Sequence, residues 1–226
     1  MPDIRRLCVY CGSSGAVDRQ YREAASELGT RLAAAGIGLV YGGGRVGLMG
    51  LLADAALVGG GEVIGIIPSR LRDAELAHPG ATEMVVVASM HERKHLMAEK
   101  ADAFAVLPGG IGTLDEMFEA ITLIQTRKIT NFPLVIMGTD YWDEILPFIH
   151  KMAKAGMIAP SDLELVHATN SVDDAIAHIR SHAIERFGLH ASRRVRPHWR
   201  WLGERGLPPP GRSTEDLHPG RHSDRS

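Results

Sequence analysis

Short apolar runs alternate with amphipathic stretches through most of the chain. Arg5–Cys11 reads as a first strand, and it ends in Gly12-Ser13-Ser14-Gly15. Tyr21, Ala25, Leu28, Leu32 and Ala35 then recur at spacings of four and three, the signature of one helix face, and Gly36 stops that helix. Ile37–Tyr41 is a second strand running into Gly42-Gly43-Gly44, and Val46–Val58 a second helix closed by Gly59-Gly60-Gly61. Glu62–Ile67 is a third strand, and Leu71–Thr82 an irregular connection. Glu83–Val87 is a fourth strand, Met90–Lys100 a helix and Ala103–Leu107 a fifth strand. Thr113–Thr126, Trp142–Ala155 and Ser171–Phe187 are further helices, with Pro133–Met137 a sixth strand and Ser171 an N-cap.

Strand-then-helix order with continuously apolar strands predicts an α/β fold. It is a Rossmann-like, doubly wound parallel sheet of six or seven strands with helices on both faces. A single domain, 1–188, is expected to carry the function. The remainder, 189–226, is rich in Arg, Pro and Gly and lacks apolar periodicity, which predicts a disordered tail; Trp199 and Trp201 are the exception, residues that could dock on the protein surface.

The 226 residues carry a net charge of −2. That argues against nucleic acid as the main partner. Neither a membrane span nor a signal-peptide core is visible, so a cytoplasmic protein is expected. Cys8 and Cys11 have redox-motif spacing. Residues three apart on a strand point to opposite faces and lie ~10 Å apart, so no disulfide is expected; one thiol should be buried and one loop-facing.

In a doubly wound sheet, ligands bind beyond the carboxyl ends of the strands. Three glycine-rich turns fall there. Gly42-x-Gly44-x-x-Gly47 has dinucleotide-fingerprint spacing, but no acid ends the next strand: Glu62 lies at its start. A nicotinamide cofactor is therefore disfavoured. His91-Glu92-Arg93-Lys94-His95 matches H-E-x-x-H, for which Glu116 would be a candidate third ligand, yet a sheet protein of this kind is a poor host for such a zinc site. Pro108-Gly109-Gly110-Ile111-Gly112-Thr113 allows two readings. Its backbone N–H groups could cradle a phosphate at a helix N-terminus, or Thr113-x-x-Glu116 could be a capping box serving only the helix.

Met90-His91-Glu92-Arg93-Lys94, followed by Pro108-Gly109-Gly110-x-Gly112-Thr113-x-x-Glu116, resembles the Lonely Guy family of cytokinin riboside 5′-monophosphate phosphoribohydrolases, often mislabelled lysine decarboxylases. The resemblance runs from about Arg5 to Phe187 and includes Tyr10–Ser14 and Tyr41–Gly50. It implies that Arg93 and Glu116 are the catalytic pair. It also implies that Met90, Arg93, Lys94, Gly109, Gly110, Ile111, Gly112, Thr113, Leu114 and Asp115 hold a nucleoside 5′-monophosphate, together with Ser13, Gly43 and Gly44. Glu75 would contact the base and Thr122 would add a further contact. A homodimer is implied, with no metal or organic cofactor. A non-catalytic nucleotide or molybdenum-cofactor carrier on the same fold is the alternative.

Overall fold

The computed structural model describes residues 4–73, 76–129 and 132–185. Among these residues there are seven strands: β1 (Arg6–Tyr10), β2 (Gly38–Tyr41), β3 (Val63–Pro68), β4 (Glu83–Val87), β5 (Ala103–Val106), β6 (Leu134–Met137) and β7 (Val166–Thr169). The helices are α1 (Arg19–Ala34), α2 (Gly47–Val58), α3 (Ser69–Asp73), α4 (Met90–Glu99), α5 (Ile111–Gln125), α6 (Ile145–Lys154) and α7 (Val172–Glu185), with a 3₁₀ turn at Pro160–Leu165. All strand pairs are parallel, in the order β4-β3-β2-β1-β5-β6-β7. The order reverses between β1 and β5, which opens a crevice at their carboxyl ends.

The five inner strands are buried almost throughout, as expected of strands covered on both faces. One core packs Leu28 and Leu32 of α1, Leu48 and Leu52 of α2, and Ile176 and Ile179 of α7 against the sheet. The other packs Met97 of α4 and Met117, Ala120 and Ile124 of α5 on the opposite face, with Ile145 and Leu146 of α6 at its margin.

Several expectations are corrected. Cys11 is buried like Cys8: the chain runs on beyond β1 beneath α2 and seats the two thiols in opposite cores, both free. The connection expected to be irregular from Leu71 begins inside α3, and it is pinned where it passes the second glycine turn. A bridge joins Gly44 to Ala77, Arg45 N–H donates to Leu76 O at 3.0 Å and His78 N–H to Gly43 O at 2.9 Å. Buried His78 accepts at Nδ1 from Gly80 N–H and contacts Asp54 through Nε2. Helix α5 starts at Ile111, two residues before the expected Thr113. The seventh strand, Val166–Thr169, takes the sheet to the upper limit expected, in a stretch where the sequence pattern shows no strand. Ser171 caps α7 as expected, accepting from Asp174 N–H at 3.2 Å. The expected tail, with Trp199 and Trp201, lies outside the described residues.

Candidate active site

The carboxyl ends of β1 and β5 are knitted together before any catalytic group is placed. Gly12 N–H donates to Pro108 O at 3.0 Å, and the Gly12 carbonyl accepts from Leu48 N–H at the start of α2. Gly109 must be glycine: a Cβ there would lie 2.1 Å from Thr113 Oγ1 and 2.9 Å from Gly12 N. Three loops are thus held edge to edge over the switch point, with Ser13 exposed at its rim.

The capping-box reading of Thr113 and Glu116 is excluded here. Gly110 is the N-cap of α5 and has no side chain to cap with. Thr113 therefore sits inside the first turn, 4% exposed, rather than opening the helix. The first i→i−4 bond is from Leu114 N–H to Gly110 O at 3.1 Å, so the N–H groups of Ile111, Gly112 and Thr113 head the helix without carbonyls of their own turn. They are available to an anion, with the positive end of the helix dipole behind them. A Cβ on Gly110 or Gly112 would meet nothing within 4 Å, so bare backbone borders open space at this point.

Glu116 lies one turn further along α5 and points inward. It is 5% exposed, and Arg93 of α4 is 6% exposed. Arg93 Nη2 stands 3.6 Å from Glu116 Oε1: close enough for attraction, too long for a strong hydrogen bond. Burial pushes the Glu116 carboxyl up to about 7 against the opposing pull of Arg93, because the cost of desolvating the anion exceeds that attraction. The Arg93 Nε–H is buried without a hydrogen-bond acceptor among the described residues. Arg93 Nη1 reaches Met90 Sδ at 3.6 Å.

The second glycine turn makes room for this pair. A Cβ on Gly42 would fall 1.8 Å from Arg93 Nη2. Gly42 thus supplies the space for a guanidinium, a role that its reading as a dinucleotide-fingerprint glycine did not foresee. Gly43 is buried against Ile66, Ile67 and Met84, which makes it a packing glycine. Glu62 ties to Arg6 at the opposite end of the sheet, far from any ribose site.

Lys94 is engaged by Asp115, 2.9 Å away, and by Glu119 on α5. Burial alone would lower its value, but the bonds to Glu119 and Asp115 outweigh burial and raise it. Lys94 thus locks α4 to α5 as a protonated ammonium. Thr122 is exposed and donates to Phe118 O at 2.7 Å within its own helix, so it does not join the Arg93–Glu116 cluster of its own chain. Ile111 is exposed and Leu114 packs at the edge of the second core. Glu75 lies outside the described residues. In the H-E-x-x-H segment, Glu92 Oε2 accepts from Ala88 N–H at 2.8 Å and its own N–H is capped by Ser89, so this glutamate serves the start of α4. His95 Nε2 is 3.7 Å from Glu99.

This arrangement defines a doubly wound α/β protein with a buried carboxylate–guanidinium pair beside an anion-receptive helix start at the switch point. Residues 49–179 match the family model described as possible lysine decarboxylase. The chain is 42% identical over 181 residues to a cytokinin riboside 5′-monophosphate phosphoribohydrolase of Arabidopsis thaliana, covering 80% of this chain and 84% of that one. It is likewise 42% identical over 182 residues to the enzyme of that name from Rhodococcoides fascians, covering 80% and 91%. The chain belongs to the Lonely Guy family. Among solved structures, the molybdenum cofactor binding protein of Rippkaea orientalis superposes with a TM-score of 0.61 at 21% identity, covering 79% of this chain and 97% of that one. At that identity the likeness concerns the fold alone.

Proposed function

We propose that this protein hydrolyses the N-glycosidic bond of a purine nucleoside 5′-monophosphate, releasing the free base and ribose 5-phosphate, with N6-modified adenine as the preferred base. The observation that carries this reading is the buried Glu116–Arg93 pair set beside the unpaired N–H groups that open α5. The 5′-phosphate docks on the N–H groups of Gly110–Thr113. As the bond from C1′ to the base nitrogen breaks, positive charge develops on the sugar, and the nearby carboxylate of Glu116 stabilises it. Water attacks C1′ and gives its proton to Glu116, the base leaves with the bonding electron pair, and the base nitrogen gains one proton as Glu116 releases its own and returns to the carboxylate. Arg93 offers its fork, including the unsatisfied Nε–H, to an acceptor on the nucleotide.

A pyridoxal-phosphate decarboxylase, the other activity the family description suggests, needs a lysine that can become a neutral amine. Lys94, the lysine bordering the pair, is held protonated by two carboxylates and does not fit. The relatives' names and these residues support the hydrolase reading. The reading extends to a cytoplasmic homodimer whose interface lies near the site, to function residing within 1–188, and to 189–226 as a dispensable tail. Chromatography of products from a panel of nucleosides and their 5′-monophosphates tests the chemistry. The monophosphates are expected to be cleaved and the ribosides to be nearly inert. Equal cleavage of the two, or binding without turnover as in a carrier, would overturn it. Light scattering at micromolar protein is expected to give twice the 24.5 kDa chain mass.

A further inference from the structure

We infer that Tyr141 is a positioning residue that latches the phosphate loop in its anion-binding orientation. The inference rests on the nucleotide reading above. The Tyr141 hydroxyl donates to the Gly109 carbonyl at 2.7 Å. A trans peptide is planar and directs its C=O and N–H oppositely, so holding the Gly109 carbonyl outward aims the Gly110 N–H inward, alongside the N–H groups that head α5. The peptide lies between two glycines, for which a flip of the plane meets little steric resistance. The hydroxyl of Tyr141, from outside the loop, holds the Gly109 carbonyl in one of the two orientations.

The latch stands on a braced turn. Tyr141 N–H and Trp142 N–H both donate to Gly138 O, and Trp142 is fully buried with its indole N–H on Met137 O at 3.1 Å. The Tyr141 ring meets Trp142 edge-on at 4.7 Å and Tyr21 edge-on at 5.7 Å. The Tyr21 hydroxyl is no part of this brace: it donates to Asp140 at 2.9 Å, a carboxylate that Gln20 Nε2 holds as well, and only the Tyr21 ring meets Tyr141. The aromatic ring is fixed by these contacts, so removing the hydroxyl alone leaves the strut in place and frees only the Gly109–Gly110 peptide.

Tyr141→Phe is the test, with Tyr21→Phe as the control that removes a neighbouring hydroxyl without touching the loop. For Tyr141→Phe, KM for a nucleoside 5′-monophosphate is expected to rise about fivefold, the worth of one hydrogen bond, with kcat changed less than about twofold. Inhibition by ribose 5-phosphate should weaken by the same factor, inhibition by free adenine should not change, and Tyr21→Phe should leave all three as in the wild type. An unchanged KM and ribose 5-phosphate constant in Tyr141→Phe would overturn the latch. So would an equal loss in Tyr21→Phe, or a parallel weakening of adenine, each of which marks general loosening. If the wild type binds ribose 5-phosphate in calorimetry but turns over no nucleotide, the hydrolase reading fails, and the binding constant of the two variants still decides the latch. If it binds no phosphate ligand, the latch falls as well.

Discussion

Glu116→Gln should make the protein inactive and, above neutral pH, more stable. Burial raises the folded-state carboxyl to about 7 from its ordinary 4.5. Between those values the folded state binds a proton that the unfolded state has released, so stability falls as pH rises through this window. The full penalty is present above about pH 7. A difference of about 2.5 units, at 1.36 kcal/mol each, is about 3 kcal/mol at pH 8 and under about 1 kcal/mol at pH 5. Glutamine has nearly the shape of the protonated acid and never ionises, so the variant escapes the penalty. The attraction from Arg93 is already contained in the value near 7, and its loss needs no separate correction. With a urea dependence of about 2 kcal/mol/M, the unfolding midpoint of Glu116→Gln should exceed the wild type by about 1.5 M at pH 8 and by little at pH 5. Turnover of a nucleoside 5′-monophosphate should fall at least ~100-fold, because the variant neither carries the charge facing C1′ nor accepts a proton from water. Nucleotide binding should persist. A stability difference independent of pH, a destabilised variant at pH 8, or an active one would refute the assignment of Glu116 as a strained catalytic carboxylate.

The same ionisation should shape catalysis in the wild type: kcat/KM is expected to rise with pH through about 7, as Glu116 becomes the carboxylate, and a profile flat from pH 5.5 to 8.5 would contradict this. Gly42→Ala places a methyl group where Arg93 Nη2 now lies, so the guanidinium must move. Turnover should drop about 100-fold, as for other small misplacements of a catalytic group. Glu116, deprived of a close positive charge, should titrate still higher, moving the pH profile of the residual activity upward. Limited proteolysis should remove the region after about Gly188 and leave a folded core with full activity; loss of the whole chain at the same rate would show that the tail is integral.

Much of the architecture is written in local pattern. Buried central strands such as Val63–Pro68 and Ala103–Val106 are unbroken apolar runs, and the helices between them carry the 3.6 period, so the parallel sheet follows from the chain order alone. The edge strand Val166–Thr169 escaped assignment because it has one neighbour and a half-exposed face, and a Val-His-Ala-Thr sequence carries no continuous apolar signal. The site residues Arg93 and Glu116 were legible as motif letters. The sequence could not choose between a cap and a catalytic group for Glu116, because Thr113-x-x-Glu116 satisfies both patterns. Tertiary structure removed the capping reading by starting α5 at Ile111, and it placed Glu116 on the buried side facing Arg93. Gly42 as the space for Arg93, the capture of Lys94 by Asp115 and Glu119, and the hydroxyl of Tyr141 on Gly109 are contacts between distant stretches of chain. Periodicity reports which face of an element is buried. Which side chain it meets there, and hence what charge that side chain bears, is fixed only when the elements pack.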